Sequence, residues 1–333
     1  MFTAFWSPMK AVSLGHAGEM FLYFLLAAMA GMTVHDERSI SKIFKAISLL
    51  FLAISIFLIL LYYLSPTYGN LSRPSGAPTT TGIVHPTAVG HMTSFGLVLF
   101  FASYFLWKWR WTRTWMLPVA ILEGWLMVLA SSRISIFLTI VFLLFMIVSF
   151  GSRKALAFSI LIMCILGTVY LCTDASTTLT QNAYEGTETF LLRGQAKDQL
   201  RNLNGRTELW SLVWAEFCES PVQGHGYFVT SSTGRHFVWG AERDITAHNL
   251  LLQALVSTGI IGTCLLLWGG VRILIPAGIA FKGEKKQRRL AVLTLIVGIF
   301  ICMYGLLDSS FLGPVTPASP LIFVVLGIAA RHL

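Results

Sequence analysis

The run AISLLFLAISIFLILLYYL, residues 46–64, contains no charged side chain. A helix needs about 20 mostly apolar residues to cross the hydrocarbon core of a bilayer, and this run supplies them alone. Working outward, eight more stretches read as spans: 13–31, 91–107, 115–131, 134–150, 155–172, 249–271, 290–307 and 320–330. The runs 134–150 and 155–172 are as clear as the first. Residues 13–31 are interrupted by His16 and Glu19, and 320–330 is short and follows the Pro-rich stretch 314–320. Composition points the same way. The chain is 55% hydrophobic and 12% charged over 333 residues, whereas soluble domains carry about 25% charged residues. Too few charges remain to clothe a soluble core of this size, so lipid must be the solvent for much of the chain. The expectation is an all-α polytopic membrane protein of about nine transmembrane helices. It divides into helices over 1–172, a long loop containing short helices over 173–248, and helices again over 249–333. Residues 1–15 show no signal peptide with a cleavage site.

The net charge of +9 raises nucleic acid or acidic lipid as partners, and its distribution decides between them. Short cytoplasmic connections are enriched in Lys and Arg. Arg38, Lys42 and Lys45, then Lys108, Arg110 and Arg113, then Arg153 and Lys154, then six residues from Arg272 to Arg289, and finally Arg331 all fall on one side of an alternating topology. That side holds 15 of the 24 basic residues. The N-terminus and the long loop then face outward. The loop carries six basic and nine acidic residues, so no basic face suited to nucleic acid remains. The stripe Trp107, Trp109, Trp111 among those cations reads as an inner interfacial belt.

Within the loop, residues 206–219 read as an amphipathic helix with Leu209, Trp210, Val213, Trp214 and Phe217 on one face, ended by Pro221 and Gly224. The five cysteines have no CxxC spacing, and neither a disulfide framework nor a zinc site is expected. His225 and His236 near Cys218 lack metal-ligand spacing as well. Gly224-His225-Gly226 is a turn rather than a phosphate loop. Asn70-Leu71-Ser72 matches only the three-residue glycosylation sequon.

Ionisable groups near the bilayer need a reason. His248 stands where the outer loop meets the span 249–271. A neutral imidazole there can take a proton from a hydroxyl, since its ordinary pKa is about 6.5; equally, its ring can cap the helix entry. Arg206 offers a planar fork that pairs bidentately with phosphate, or an ion pair with Glu208. Arg133, in the tight outer turn Ser131-Ser132-Arg133-Ile134, either snorkels to the interface or binds an anion. His85 and His91 flank the entry to the span 91–107, as site residues or as structural hydrogen-bonding groups.

Gly205-Arg206 with Trp210, Pro221, Gly224 and Gly226 forms one pattern. His248-Asn249 followed by Gly259 and Gly262 forms a second, and Ser132-Arg133 a third. Together they resemble the O-antigen ligase and Wzy-type polymerase family, and His85-Pro86 resembles an element of its exopolysaccharide polymerase relatives. The resemblance implies a large, mostly helical membrane glycosyltransferase (GT-C-like) in the bacterial cytoplasmic (inner) membrane, with its active site on the periplasmic side. It implies a donor glycan on undecaprenyl diphosphate and an acceptor hydroxyl on a glycan or lipid A core. Transfer would proceed with inversion, without metal or other cofactor. His248 would be the catalytic base. Arg206 and Arg133 would hold the diphosphate, with His85, His91 and Asn249 as further substrate contacts. Family members usually carry about three more helices before the loop than the six read here, so the chain is expected to be a shortened member or an N-terminally incomplete one. The rival reading is a transporter or flippase, or a non-catalytic binding protein, for lipid-linked glycans. Transporters tend to place charges at the membrane midplane, and Glu123 is the main such residue here.

Overall fold

A computed structural model describes residues 2–34, 36–65, 70–72, 78–80, 86–107, 110–130, 132–150, 206–238, 241–243, 246–281, 283–306 and 318–332. The expected span 155–172, the first part of the long loop, and His85 lie outside these residues. The described chain runs α1 (Lys10–Thr33), α2 (Glu37–Leu64), β1 (Asn70–Ser72), β2 (Pro78–Thr80), α3 (Pro86–Trp107), α4 (Arg110–Leu129), α5 (Arg133–Phe150), α6 (Arg206–Glu219), β3 (His236–Val238), β4 (Ala241–Arg243), α7 (Leu250–Ala280), α8 (Lys285–Gly305) and α9 (Ala318–His332). Helices α1, α2, α3, α7 and α8 are long and apolar enough to cross a bilayer, and α5 and α9 contain shorter apolar stretches. Large apolar side chains face outward, among them Phe21, Leu22, Phe57, Leu265 and Trp268. Helices in lipid carry apolar groups outside because the surrounding hydrocarbon is itself apolar, while the helix pairs its backbone groups internally. The protein is therefore a mostly helical, multi-pass membrane protein. Two antiparallel hairpins, β1–β2 and β3–β4, were not anticipated.

Several helices outrun their apolar stretches. Asp36 starts α2 by accepting the Ser39 N–H at 2.9 Å, so the helix winds through Arg38, Lys42 and Lys45 before the run at 46–64 begins. Helix α7 continues past Arg272, whose guanidinium lies 5.8 Å from the Trp268 ring centre. Pro86 opens α3, where the missing N–H costs nothing. His16 and Glu19, which interrupt the apolar run of α1, pair with each other at 2.9 Å, while the His16 ring packs on Phe228 with centroids 4.1 Å apart.

The chain forms two compact units, residues 1–47 with 202–333, and residues 48–201. In the first, α1 and α9 cross closely: a Cβ on Gly327 would run into the Ala27 carbonyl, the small-residue contact typical of helices in lipid. The N-terminal segment joins this unit through three hydrogen bonds. The Trp6 indole donates to the Gly224 carbonyl at 3.1 Å, the Ser13 hydroxyl to the Tyr227 carbonyl at 2.9 Å, and the Tyr227 N–H to the Thr3 hydroxyl at 3.0 Å. In the second unit, α3 is central, with residues 91–100 all buried. Leu97, Phe100, Val119 and Met127 form a core cluster there. Glu123, 1% exposed, accepts the Ser55 hydroxyl at 2.9 Å, which satisfies an otherwise costly buried polar group.

Candidate active site

Gly259 holds φ 66° and ψ −171° inside α7, a region open essentially only to glycine. The helix therefore breaks, and four backbone groups lose their intrahelical partners. In a continuous helix the Ile260 N–H would bond the Val256 carbonyl, and the Ile261 N–H the Ser257 carbonyl. Here the loop after α6 takes all four. The N–H groups of His225 and Gly226 donate to the Val256 and Ser257 carbonyls at 2.9 Å each, and the Pro221 and Val222 carbonyls accept from Ile260 and Ile261 at 2.8 and 3.5 Å. The loop is spliced into the break. A Cβ on Gly224, at φ 68°, would lie 2.6 Å from the Gly259 nitrogen. This explains physically why Gly224 and Gly259 occur at those positions.

The splice seats α6 against the start of α7. Leu209, Val213 and Phe217 recur every fourth residue and form a buried cluster with Ala247 and Val256. The expected five-residue face is narrower than the sequence suggested. Trp214 is 52% exposed, because one residue's rotation of about 100° carries it off the seam. Trp210, similarly offset, is half-buried and donates its indole N–H to the Ala247 carbonyl at 2.8 Å. Arg206, four residues earlier, lies on the same side of α6 and is also half-buried.

His248 follows Ala247 with φ 47°, a left-handed conformation that is uncommon among non-glycine residues, although histidine adopts it more readily than most. Such outliers persist where their surroundings over-determine them, and they cluster at functional sites. The residue after it caps α7. The Asn249 side-chain oxygen accepts the Leu252 N–H at 3.0 Å, and its amide donates to the Leu306 carbonyl at 3.1 Å. Both polar ends of Asn249 thus hold backbone. Replacing it by Ala is expected to cost about 1 kcal/mol of stability, read as a lower melting temperature of the detergent-solubilised protein.

In the other unit, Arg133 begins α5. The turn before it is fixed by a bond between the Ser132 and Ser135 hydroxyls at 2.6 Å, and it packs on Gly90, where a Cβ would collide with the Ser132 side chain. Gly90 is the neighbour of His91, so the segments carrying Arg133 and His91 meet, although the His91 side chain is fully buried in α3.

Among the described residues, Glu216, Glu219 and His225 bring possible metal-ligating atoms within 4.8 Å of one another, a grouping the sequence spacing did not suggest. Both principal members already have protein partners. His225 Nε2 donates to the Glu216 carbonyl at 2.8 Å, and the Glu216 carboxylate accepts the Ser232 N–H at 2.8 Å. The arrangement closes the end of α6.

Among the described residues of the first unit, two cavities adjoin α7. One, of about 340 Å³, has Thr3, Tyr227, Gln253, Ser257 and Thr258 among its walls. Burial, and then the nearby Glu19 carboxylate, push the Tyr227 phenol well above its ordinary range, so it is present as a neutral hydroxyl. The other, of about 600 Å³ and almost wholly apolar, runs among α1, α7, α8 and α9 and includes Leu250 and Arg331 in its lining. Both share Met20, Phe24 and Leu266. Gln253, 1% exposed, is not among the residues expected at the site. Its signal was a long polar side chain inside an apolar helix, five residues after the histidine.

No curated protein matches the chain. The family model described as O-Antigen ligase matches residues 118–267. That stretch includes Arg133, Arg206, His248 and both glycines of the splice, while His85 and His91 fall before it. Across residues 118–267, then, the chain is similar to the O-antigen ligase family.

Proposed function

We propose that this protein transfers a glycan from an undecaprenyl-diphosphate donor to an acceptor hydroxyl at the outer face of the bacterial cytoplasmic membrane. One observation carries the reading most strongly: the Trp210 to Ala247 hydrogen bond joins α6, which begins at Arg206, to the residue before His248. His248 takes the proton from the acceptor hydroxyl. The hydroxyl oxygen attacks the anomeric carbon from the side opposite the diphosphate, and the sugar–oxygen bond breaks with its electron pair leaving on undecaprenyl diphosphate. The configuration at that carbon inverts. Arg206 stabilises the departing diphosphate as a fixed cation, which is worth most where charge develops in the transition state. No metal takes part in this scheme. Arg133 keeps the diphosphate role that the resemblance implies. The isoprenoid chain of the donor occupies the apolar cavity of about 600 Å³, whose wall includes Leu250, two residues after the base.

The break in α7 bears on the rival transporter reading. Transporters use broken helices because the freed backbone groups bind ions and substrate. In α7 those four groups are paired with the loop, which favours catalysis at the rim over transport through the break. The experiment is transfer from an undecaprenyl-diphosphate-linked glycan purified from host membranes, measured as release of undecaprenyl diphosphate. His248→Ala is expected to lose transfer. Arg206→Lys is expected to weaken it, because an ammonium cannot reproduce the bidentate fork. Wild-type turnover in His248→Ala removes the base assignment.

A further inference from the structure

We propose that Trp210 and Gln253 are positioning residues that hold His248 in its working conformation, an inference that rests on the reading of His248 as the base. The backbone on either side of His248 is fixed. Before it, the Ala247 N–H donates to Gln253 Oε1 at 2.8 Å, and the Ala247 carbonyl accepts the Trp210 indole N–H at 2.8 Å. Both faces of one fully buried residue are thus taken by side chains from two different helices. After it, Asn249 is held by the Leu252 N–H and the Leu306 carbonyl.

Gln253 is itself fixed. Its Nε2 donates to the Ser257 hydroxyl at 2.9 Å, and that hydroxyl donates to the Val229 carbonyl at 3.1 Å. The relay therefore runs from the outer loop, along one face of α7 just before its break, to the residue preceding the base. Gln253 and Ser257 are each 1% exposed, so neither side chain exchanges freely with water. Every polar atom that Gln253 contributes is spent on holding backbone or on being held.

The physical need is the positive φ at His248. A side chain in the left-handed region returns to a more favourable backbone well unless its neighbours forbid it. A hydrogen bond at each end of the Ala247 residue, with a cap on Asn249, leaves His248 little freedom to relax. Trp210 adds a second coupling. It shares a face of α6 with Arg206, so the helix that presents the guanidinium also sets the imidazole. Reacting groups need this precision, because a misplacement of about 1 Å costs on the order of 100-fold in rate.

The test uses the full-length protein in detergent with the donor purified from host membranes. Trp210→Phe keeps an aromatic ring and removes the indole N–H. Gln253→Met keeps the chain length and removes both polar ends. Each is expected to lower kcat about 10–100-fold while the donor KM stays within about twofold, with rates normalised to monodisperse, folded protein. His248→Ala is measured alongside. Wild-type kcat in Trp210→Phe, or a loss no larger than its loss of folded protein, overturns the proposal, and Trp210→Phe decides alone if Gln253→Met does not fold. Wild-type turnover in His248→Ala would instead overturn the base reading. An inactive His248→Ala beside a fully active Trp210→Phe would sink only the positioning roles.

Discussion

Gly259→Ala is expected to yield little folded protein, a severe outcome for the addition of one methyl group. The added Cβ would collide with the Val222 carbonyl and stand 2.6 Å from the Gln223 nitrogen. Both are backbone groups and cannot swing aside as a side chain can. The conformation at φ 66° and ψ −171° is itself closed to L residues, at a cost of about 1–3 kcal/mol. If α7 straightened to escape, it would regain its own two hydrogen bonds, but the His225 and Gly226 N–H groups and the Pro221 and Val222 carbonyls would lose theirs. His225 and Gly226 are buried, and a buried polar group left unpaired costs about 1–3 kcal/mol. Either route removes a large share of the roughly 5–15 kcal/mol that keeps a native protein folded. Gly269→Ala is the control, because it lies in the same helix with nothing within 4 Å of its Cβ. Its expected effect is neutral or slightly favourable, since Ala is the better helix former by about 1 kcal/mol. Fluorescence-detected gel filtration and thermal melts of the two variants read the difference. A Gly259→Ala protein that melts with the wild type would show that the splice does not hold the site together.

That splice also marks where sequence reading stops. Residues 46–64 and 134–150 announced themselves because local hydropathy decides whether a helix can live in lipid. Residues 206–219 did so because apolar groups four apart need a partner surface. Arg206 and His248 stood out as ionisable groups beside apolar runs. Gly259 was visible as a letter but not as a break, since the apolar run continues on both sides of it and glycine is common in membrane helices. What makes it a break is the pairing of residues 256–261 with 221–226, a contact between segments about 35 residues apart in sequence that no local pattern encodes. The same holds for Trp210. Its place on an apolar stripe suggested core, yet its half-buried ring spends its one donor on Ala247. Gln253 was hidden for a related reason: a glutamine in a helix looks neutral until its partners, the backbone of residue 247 and the hydroxyl of residue 257, are known. The left-handed backbone at His248 is likewise imposed from outside. Nothing in the order of Ala247, His248 and Asn249 demands it.

His248→Gly is expected to abolish transfer while leaving the protein about as stable as the wild type, and that pairing separates catalysis from architecture. If the imidazole served only to cap the entry of α7, its removal would unseat a buried group, and the melting temperature would fall with the activity. The hydrogen bonds that cap α7 belong to Asn249. Glycine occupies the left-handed region without penalty, so the variant sheds the backbone cost that His248 bears at φ 47°. Against this stands glycine's greater freedom in the unfolded chain, roughly 0.5–1 kcal/mol. The two effects nearly cancel, and the net change is expected to stay within about 1 kcal/mol. On the proposed mechanism transfer, by contrast, loses its general base, typically a factor of about 100 to 10,000. His248→Ala completes the comparison, since it removes the ring but keeps a Cβ in the strained well. It should be as inactive as the glycine variant and no more stable. A protein strained at one backbone position, and no less stable once that strain and its activity are removed together, is holding the imidazole there for chemistry.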